Sequence, residues 1–101
     1  MEKRKPHFDL DAIKAAFAEP SKLNLTVTAA RGAVALDYDN AEIVATIQAL
    51  RPRDFDKSMT AYHDSKLWQD VYKPASGDIE LYVKFTLDSQ GQFLLISFKA
   101  R

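Results

Sequence analysis

The chain has no cysteine among its 101 residues, so neither a disulfide nor a cysteine-based metal site is available to it, and a cytoplasmic setting is expected. It has no excess of charge either, since 14 Lys and Arg balance 14 Asp and Glu. The broad positive field of a tight, non-specific nucleic-acid binder is therefore missing, and any anion site must be local. The longest strongly apolar stretch is Phe93-Leu94-Leu95-Ile96, too short to cross a membrane, and no charged, then apolar, then small-residue start marks a secretory signal. Histidine is reduced to His7 and His63, which makes a histidine acid and base pair hard to assemble.

What is present suits one small soluble domain spanning residues 1–101, with 47% hydrophobic and 28% charged residues. The clearest pattern lies in the C-terminal third. Ile79, Leu81, Val83, Phe85 and Leu87 alternate with Glu80, Tyr82, Lys84 and Thr86, the period of a half-buried strand, and Phe93 to Lys99 reads as its partner. A two-residue loop at Gln90-Gly91 sets Val83 opposite Phe98, Phe85 opposite Ile96 and Leu87 opposite Leu94. The same register puts Tyr82 beside Lys99 and Lys84 beside Ser97 on the polar face. A phenol and an ammonium side by side on rigid strands are what a phosphate-handling site needs.

Earlier segments fill in the fold. Met1 to His7 is charged and aperiodic, so residues 1–8 read as a flexible, solvated arm. Asp9 or Asp11 caps a helix carrying Leu10, Ile13 and Phe17 and ended by Pro20. Leu23 to Thr28 alternates as a short strand. Ala29 to Leu36 and Ala41 to Leu50 read as two consecutive helices separated by the turn Asp37-Tyr38-Asp39-Asn40. Strands follow at Phe55 to Thr60 and Leu67 to Lys73, with Ala61 to Ser65 as a loop. The order predicts an α+β domain: an antiparallel sheet with helices packed on one face and the other face open as a shallow cleft.

Several blocks together resemble the MqsR toxins, messenger-RNA interferases of the RelE-like group of bacterial toxin-antitoxin nucleases. They are Met1-Glu2-Lys3-Arg4 with Pro6-His7, Asp54-Phe55 with Lys57-Ser58-Met59-Thr60 and Tyr62, Trp68-Gln69-Asp70-Val71-Tyr72 with Pro74, Leu81-Tyr82-Val83-Lys84, and Ser97-Phe98-Lys99. The resemblance implies a RelE-like fold and a small endoribonuclease that cuts single-stranded mRNA at a short preferred sequence, without metal or other cofactor and without the ribosome. It also implies a cognate MqsA-like antitoxin, zinc-binding with a helix-turn-helix, through which alone DNA would be reached. The catalytic positions it carries over are Lys57, Gln69, Tyr82 and Lys99, and the last two are the pair that the strand register had already joined. The chain departs from the family pattern at Asp56, where a tyrosine is usual, and at Ser65-Lys66-Leu67 in place of His-Thr-Ile.

Metal-free cleavage uses the ribose 2′-hydroxyl as nucleophile, so the protein has to move protons and stabilise a phosphorane. With histidine scarce, Lys57 and Lys99 flank the phosphate, Tyr82 donates to it and Gln69 positions the hydroxyl. A lysine transfers a proton only where burial or nearby positive charge lowers its pKa. Lys84 and His63 are expected to touch RNA, and Trp68 and Tyr72, which share a strand parity, to stack its bases. The bland readings are surface charge for Lys84 and Lys99, a loop residue for His63, and sheet packing for the two aromatics. Asp56 is expected to pair with Lys57, and on that ground the competing class is a non-catalytic binding module of the same fold, a degenerate toxin acting as co-regulator with its antitoxin.

Overall fold

A computed structural model describes all 101 residues. The elements are β1 (Glu2–Lys3), α1 (Leu10–Ala16), α2 (Val27–Ala35), α3 (Asn40–Gln48), β2 (Phe55–Ala61), β3 (Asp64–Tyr72), β4 (Ala75–Ser76), β5 (Ile79–Leu87) and β6 (Phe93–Ala100). The sheet is antiparallel and runs β1-β2-β3-β5, with β6 and the short β4 both paired to β5. Ile13 and Phe17, Ala29 and Ala33, and Ile43, Ile47 and Leu50 pack onto Tyr72, Leu81, Val83, Phe85, Leu95 and Phe98. One sheet face is thus the core and the other has no helix over it, the expected α+β layout.

Each helix starts on a side-chain cap that satisfies an otherwise orphaned N–H. Asp9 accepts from the Asp11 N–H at the start of α1, and Thr26 accepts from the Ala29 N–H at the start of α2. Asp39 and Glu42 form a reciprocal capping box at α3. Gly32 lets α2 lie directly on β6, because a Cβ there would stand 2.0 Å from the Phe98 carbonyl oxygen.

Three expectations are corrected. Leu23 to Thr28 is not a strand of the sheet: only Leu25 bridges Leu95, in parallel, and the Thr26 cap turns the chain into α2 from Val27. That single bridge, with the Thr26 N–H donating to the Leu95 carbonyl, still blocks the free edge of β6. The β5–β6 register holds for Leu81–Ala100, Tyr82–Lys99, Val83–Phe98 and Lys84–Ser97, but a bulge follows, and Phe85 then faces Leu95 rather than Ile96. The bulge swaps the inward parity of β6, so that Leu95 and Phe98 both enter the core. The connecting loop is correspondingly longer than two residues: the Asp88 N–H donates to the Gln92 carbonyl, and the Asp88 carboxylate accepts from the Gln90 and Gln92 N–H groups.

The third correction concerns the arm, which is docked rather than solvated. Glu2 and Lys3 pair with Met59 and Ser58 as strand β1. The fully buried Asp70 carboxylate then accepts from the His7 and Phe8 N–H groups at 2.9 to 3.2 Å and from the Ser58 hydroxyl at 2.6 Å. A buried carboxylate without a cation is costly unless its oxygens are filled, and the arm supplies the donors that fill them.

Candidate active site

Cross-strand partners share a face, so the register alone composes the open side of the sheet. Val83 and Phe85 are core residues, which sends Tyr82, Lys84 and Thr86 of β5 outward. Lys84 is opposite Ser97 on one side and Val71 on the other, and Val71 is opposite Lys57. One row therefore reads Lys57, Val71, Lys84, Ser97 across four strands, with the two lysine Cα atoms about 10 Å apart by strand spacing. The Tyr82–Lys99 pair lies on the same face toward the sheet end, and the Gln69–Met59 pair lies on it in the other direction. All four expected catalytic side chains, Lys57, Gln69, Tyr82 and Lys99, are brought to the helix-free face, and Lys84 sits at its centre.

The electrostatics of this face are uneven. Lys57 meets the Glu2 carboxylate at 3.5 Å, whereas Lys84 and Lys99 have no carboxylate partner. Both ammonium groups stand over the Tyr82 ring, at 5.6 Å for Lys84 and 5.4 Å for Lys99. Burial, then Lys99, then Lys57 push the Lys84 pKa below that of an ordinary lysine. Lys84, expected only to touch RNA, is thus the lysine of this face whose surroundings most disfavour its charge. Asp56 does not pair with Lys57 as expected: it lies at a register shift between Phe55 and Lys57 and bonds Lys73 at 3.2 Å.

A family model described as the motility quorum-sensing regulator, toxin of MqsA, matches residues 5–100. The chain belongs to the MqsR toxin family. It is also 36% identical over 101 residues, the whole of both chains, to the mRNA interferase toxin MqsR of Escherichia coli (strain K12).

Within this MqsR-family fold the two central motifs divide by strand parity. From Lys57-Ser58-Met59-Thr60 and Trp68-Gln69-Asp70-Val71-Tyr72, the residues Lys57, Met59, Gln69 and Val71 face the open side, and Ser58, Thr60, Trp68, Asp70 and Tyr72 face the other. That parity corrects the base-stacking expectation. Tyr72 is 1% exposed, packed between Phe55 and Phe85, and its phenol is pushed up to about 12 by burial, then Asp70 and Asp9. Trp68 lies under the arm, stacked on His7 at 5.1 Å with the Lys3 ammonium 4.2 Å over its ring. Neither ring reaches the lysine face. His63 is exposed in the Tyr62-His63 turn at the tip of the β2–β3 hairpin, outside the lysine cluster. Glu2, hidden in an arm that reads as solvated, is the residue of this face that sequence reasoning missed; the alternation of Glu2 and Lys3 was the only available signal.

Proposed function

We propose that the open sheet face is where this toxin binds single-stranded mRNA and cuts it by attack of the ribose 2′-hydroxyl on the adjacent phosphate. Membership in the MqsR family makes the chain an mRNA interferase and the toxin of an antitoxin-controlled pair. One observation carries the assignment of the site: Lys57, Lys84 and Lys99 converge with Gln69 and Tyr82 on the only broad sheet surface that no helix covers.

The chemistry follows from charge and position. Lys57 and Lys99 stabilise the phosphorane, and Tyr82 donates its hydroxyl to a non-bridging oxygen. Gln69 holds the 2′-hydroxyl without adding charge. Lys84 protonates the departing 5′-oxygen, since an ammonium disfavoured by burial and by two like charges is a stronger acid than an ordinary lysine. The products are a 2′,3′-cyclic phosphate and a 5′-hydroxyl. This reading includes a short preferred cleavage sequence and action without the ribosome. The partner is an MqsA-like antitoxin with a zinc site and a helix-turn-helix, DNA is contacted only through it, and the setting is cytoplasmic. No helix is long and apolar enough to cross a membrane.

The competing reading, a non-catalytic module, drew on an Asp56–Lys57 pair, and Asp56 is bonded to Lys73 instead. The test is end-labelled mRNA incubated with the purified protein, with and without EDTA, beside Lys99→Ala. Discrete EDTA-resistant cuts with cyclic-phosphate and 5′-hydroxyl ends, lost in the variant, are expected. Intact RNA from folded wild-type protein would overturn the proposal.

A further inference from the structure

Every group assigned so far on the open face is a cation, a phenol or an amide, and none of these readily accepts a proton at neutral pH. Transesterification nevertheless requires an acceptor for the 2′-hydroxyl proton. Carboxylates on or bordering this face are Glu2, Asp56 and Glu80. Asp56 is held by Lys73 at 3.2 Å, and Glu80 by Arg101 at 2.7 Å at the sheet end. Glu2 is held most loosely, 3.5 Å from Lys57, and is half-exposed. It is also the one that borders the site: Glu2 pairs with Met59, and Met59 with Gln69, so it shares a row with the amide assigned to the hydroxyl.

The position of Glu2 is imposed, not incidental. The Lys3 ammonium lies over Trp68, His7 stacks on the same ring, and Asp70 takes the His7 and Phe8 N–H groups, all on the inward side. With Lys3 anchored inward, strand alternation sends Glu2 outward. Lys57 then stands between Glu2 on one side and Lys84 on the other. An in-line displacement needs its base and its acid on opposite sides of the phosphorus.

We propose that Glu2 is the general base of the cleavage, a role that rests on the open face being the ribonuclease site. The 2′-hydroxyl gives its proton to the Glu2 carboxylate as its oxygen forms the new bond to phosphorus. The bond from phosphorus to the 5′-oxygen breaks, its electron pair stays on that oxygen, and the oxygen takes a proton from Lys84. Exchange with water then returns one proton from Glu2 and one to Lys84. Phosphate drawing the Lys57 ammonium toward itself frees the carboxylate for this task.

The charges around Glu2 define the test. Lys57 faces it from β2, and Met59 and Gln69, its neutral neighbours, come from β2 and β3. Along its own segment the Met1 amine is bonded to the Thr60 hydroxyl, Lys3 points to the opposite face, and Arg4 reaches the Asp56 carbonyl. Single-turnover cleavage is measured from pH 4 to 9 for wild type, Glu2→Gln and Glu2→Asp, with thermal melts to show that each is folded. The wild-type rate is expected to rise through a carboxylate limb. Glu2→Gln should be slower by roughly a hundredfold or more and lack that limb, with Glu2→Asp recovering part of the rate. A substrate with sulfur at the bridging 5′ position, whose leaving group needs no proton, should not restore Glu2→Gln. Glu2→Gln within about threefold of wild type, or slowed with the acid limb intact, would overturn the role of Glu2 while leaving the site in place. Wild type that leaves RNA uncut overturns the reading of the face itself.

Discussion

Asp56 and Lys73 pair at 3.2 Å, and this pairing keeps Asp56 away from its chain neighbour Lys57. Asp56 therefore screens Lys73 and not the expected catalytic lysine. Asp56→Asn is expected to keep the cleavage rate within about threefold and to release Lys73 to phosphate, steepening the dependence of RNA affinity on salt by about 0.7 in log-log slope. Filter binding over a salt series, alongside the cleavage assay, checks both.

Lys57, Lys84 and Lys99 share one face while the chain as a whole has zero net charge. Binding should then depend on few phosphates. Three neutralised phosphates on a single strand give a log-log salt slope of about −2, and Lys84→Ala should reduce it to about −1.4. A slope near −5 would point to a much larger basic footprint than this sheet face provides.

The Tyr72 phenol is pushed from 10.0 to about 12 by burial first and by Asp70 second. A folded-state pKa above the unfolded one means that the neutral phenol's contribution is complete below pH 10 and is lost as the pH climbs toward about 12. The loss across that window is about 2 to 3 kcal/mol. Tyr72→Phe has no proton to lose, so denaturant unfolding across the same range should show a shallower decline than wild type.

Asp70 couples the arm to the sheet through two backbone N–H groups and the Ser58 hydroxyl. Asp70→Ala strands those donors beside an apolar core and should cost on the order of 3 kcal/mol. Amide exchange at His7 and Phe8 should rise well before exchange in β5, because the arm is released ahead of the core.

How much of this was legible in the sequence follows from where the information resides. The inward and outward sets of β5 are fixed by parity within a short segment, whereas the Tyr82–Lys99 pair holds because the extra residue of the bulge at Ile96 offsets the longer loop. Parity does not fix that bulge, because Leu94, Leu95 and Ile96 are all apolar and any of them suits the core. Thr26 has a β-branched side chain that reads as strand, yet its hydroxyl is spent on capping α2. The arm reads as solvated because its anchor is Asp70, more than sixty residues away, and a polar contact over that distance leaves no periodicity. The Lys57, Gln69, Tyr82 and Lys99 set came from resemblance, and the geometry places all four on one face. The altered acidity of Lys84 is a product of three strands meeting, so no window of sequence contains it.

The most direct measurement is single-turnover cleavage by Lys84→Met of two RNAs that differ only in oxygen or sulfur at the bridging 5′ position. The variant should be at least as stable as wild type, because the lowered pKa of Lys84 means that its charge is disfavoured in the fold. On the ordinary RNA it should be slower by roughly a hundredfold or more, and on the sulfur RNA, which needs no proton donor, it should approach wild type. Equal loss on both substrates, or no loss on either, would contradict the assignment of Lys84 as the acid of the open face.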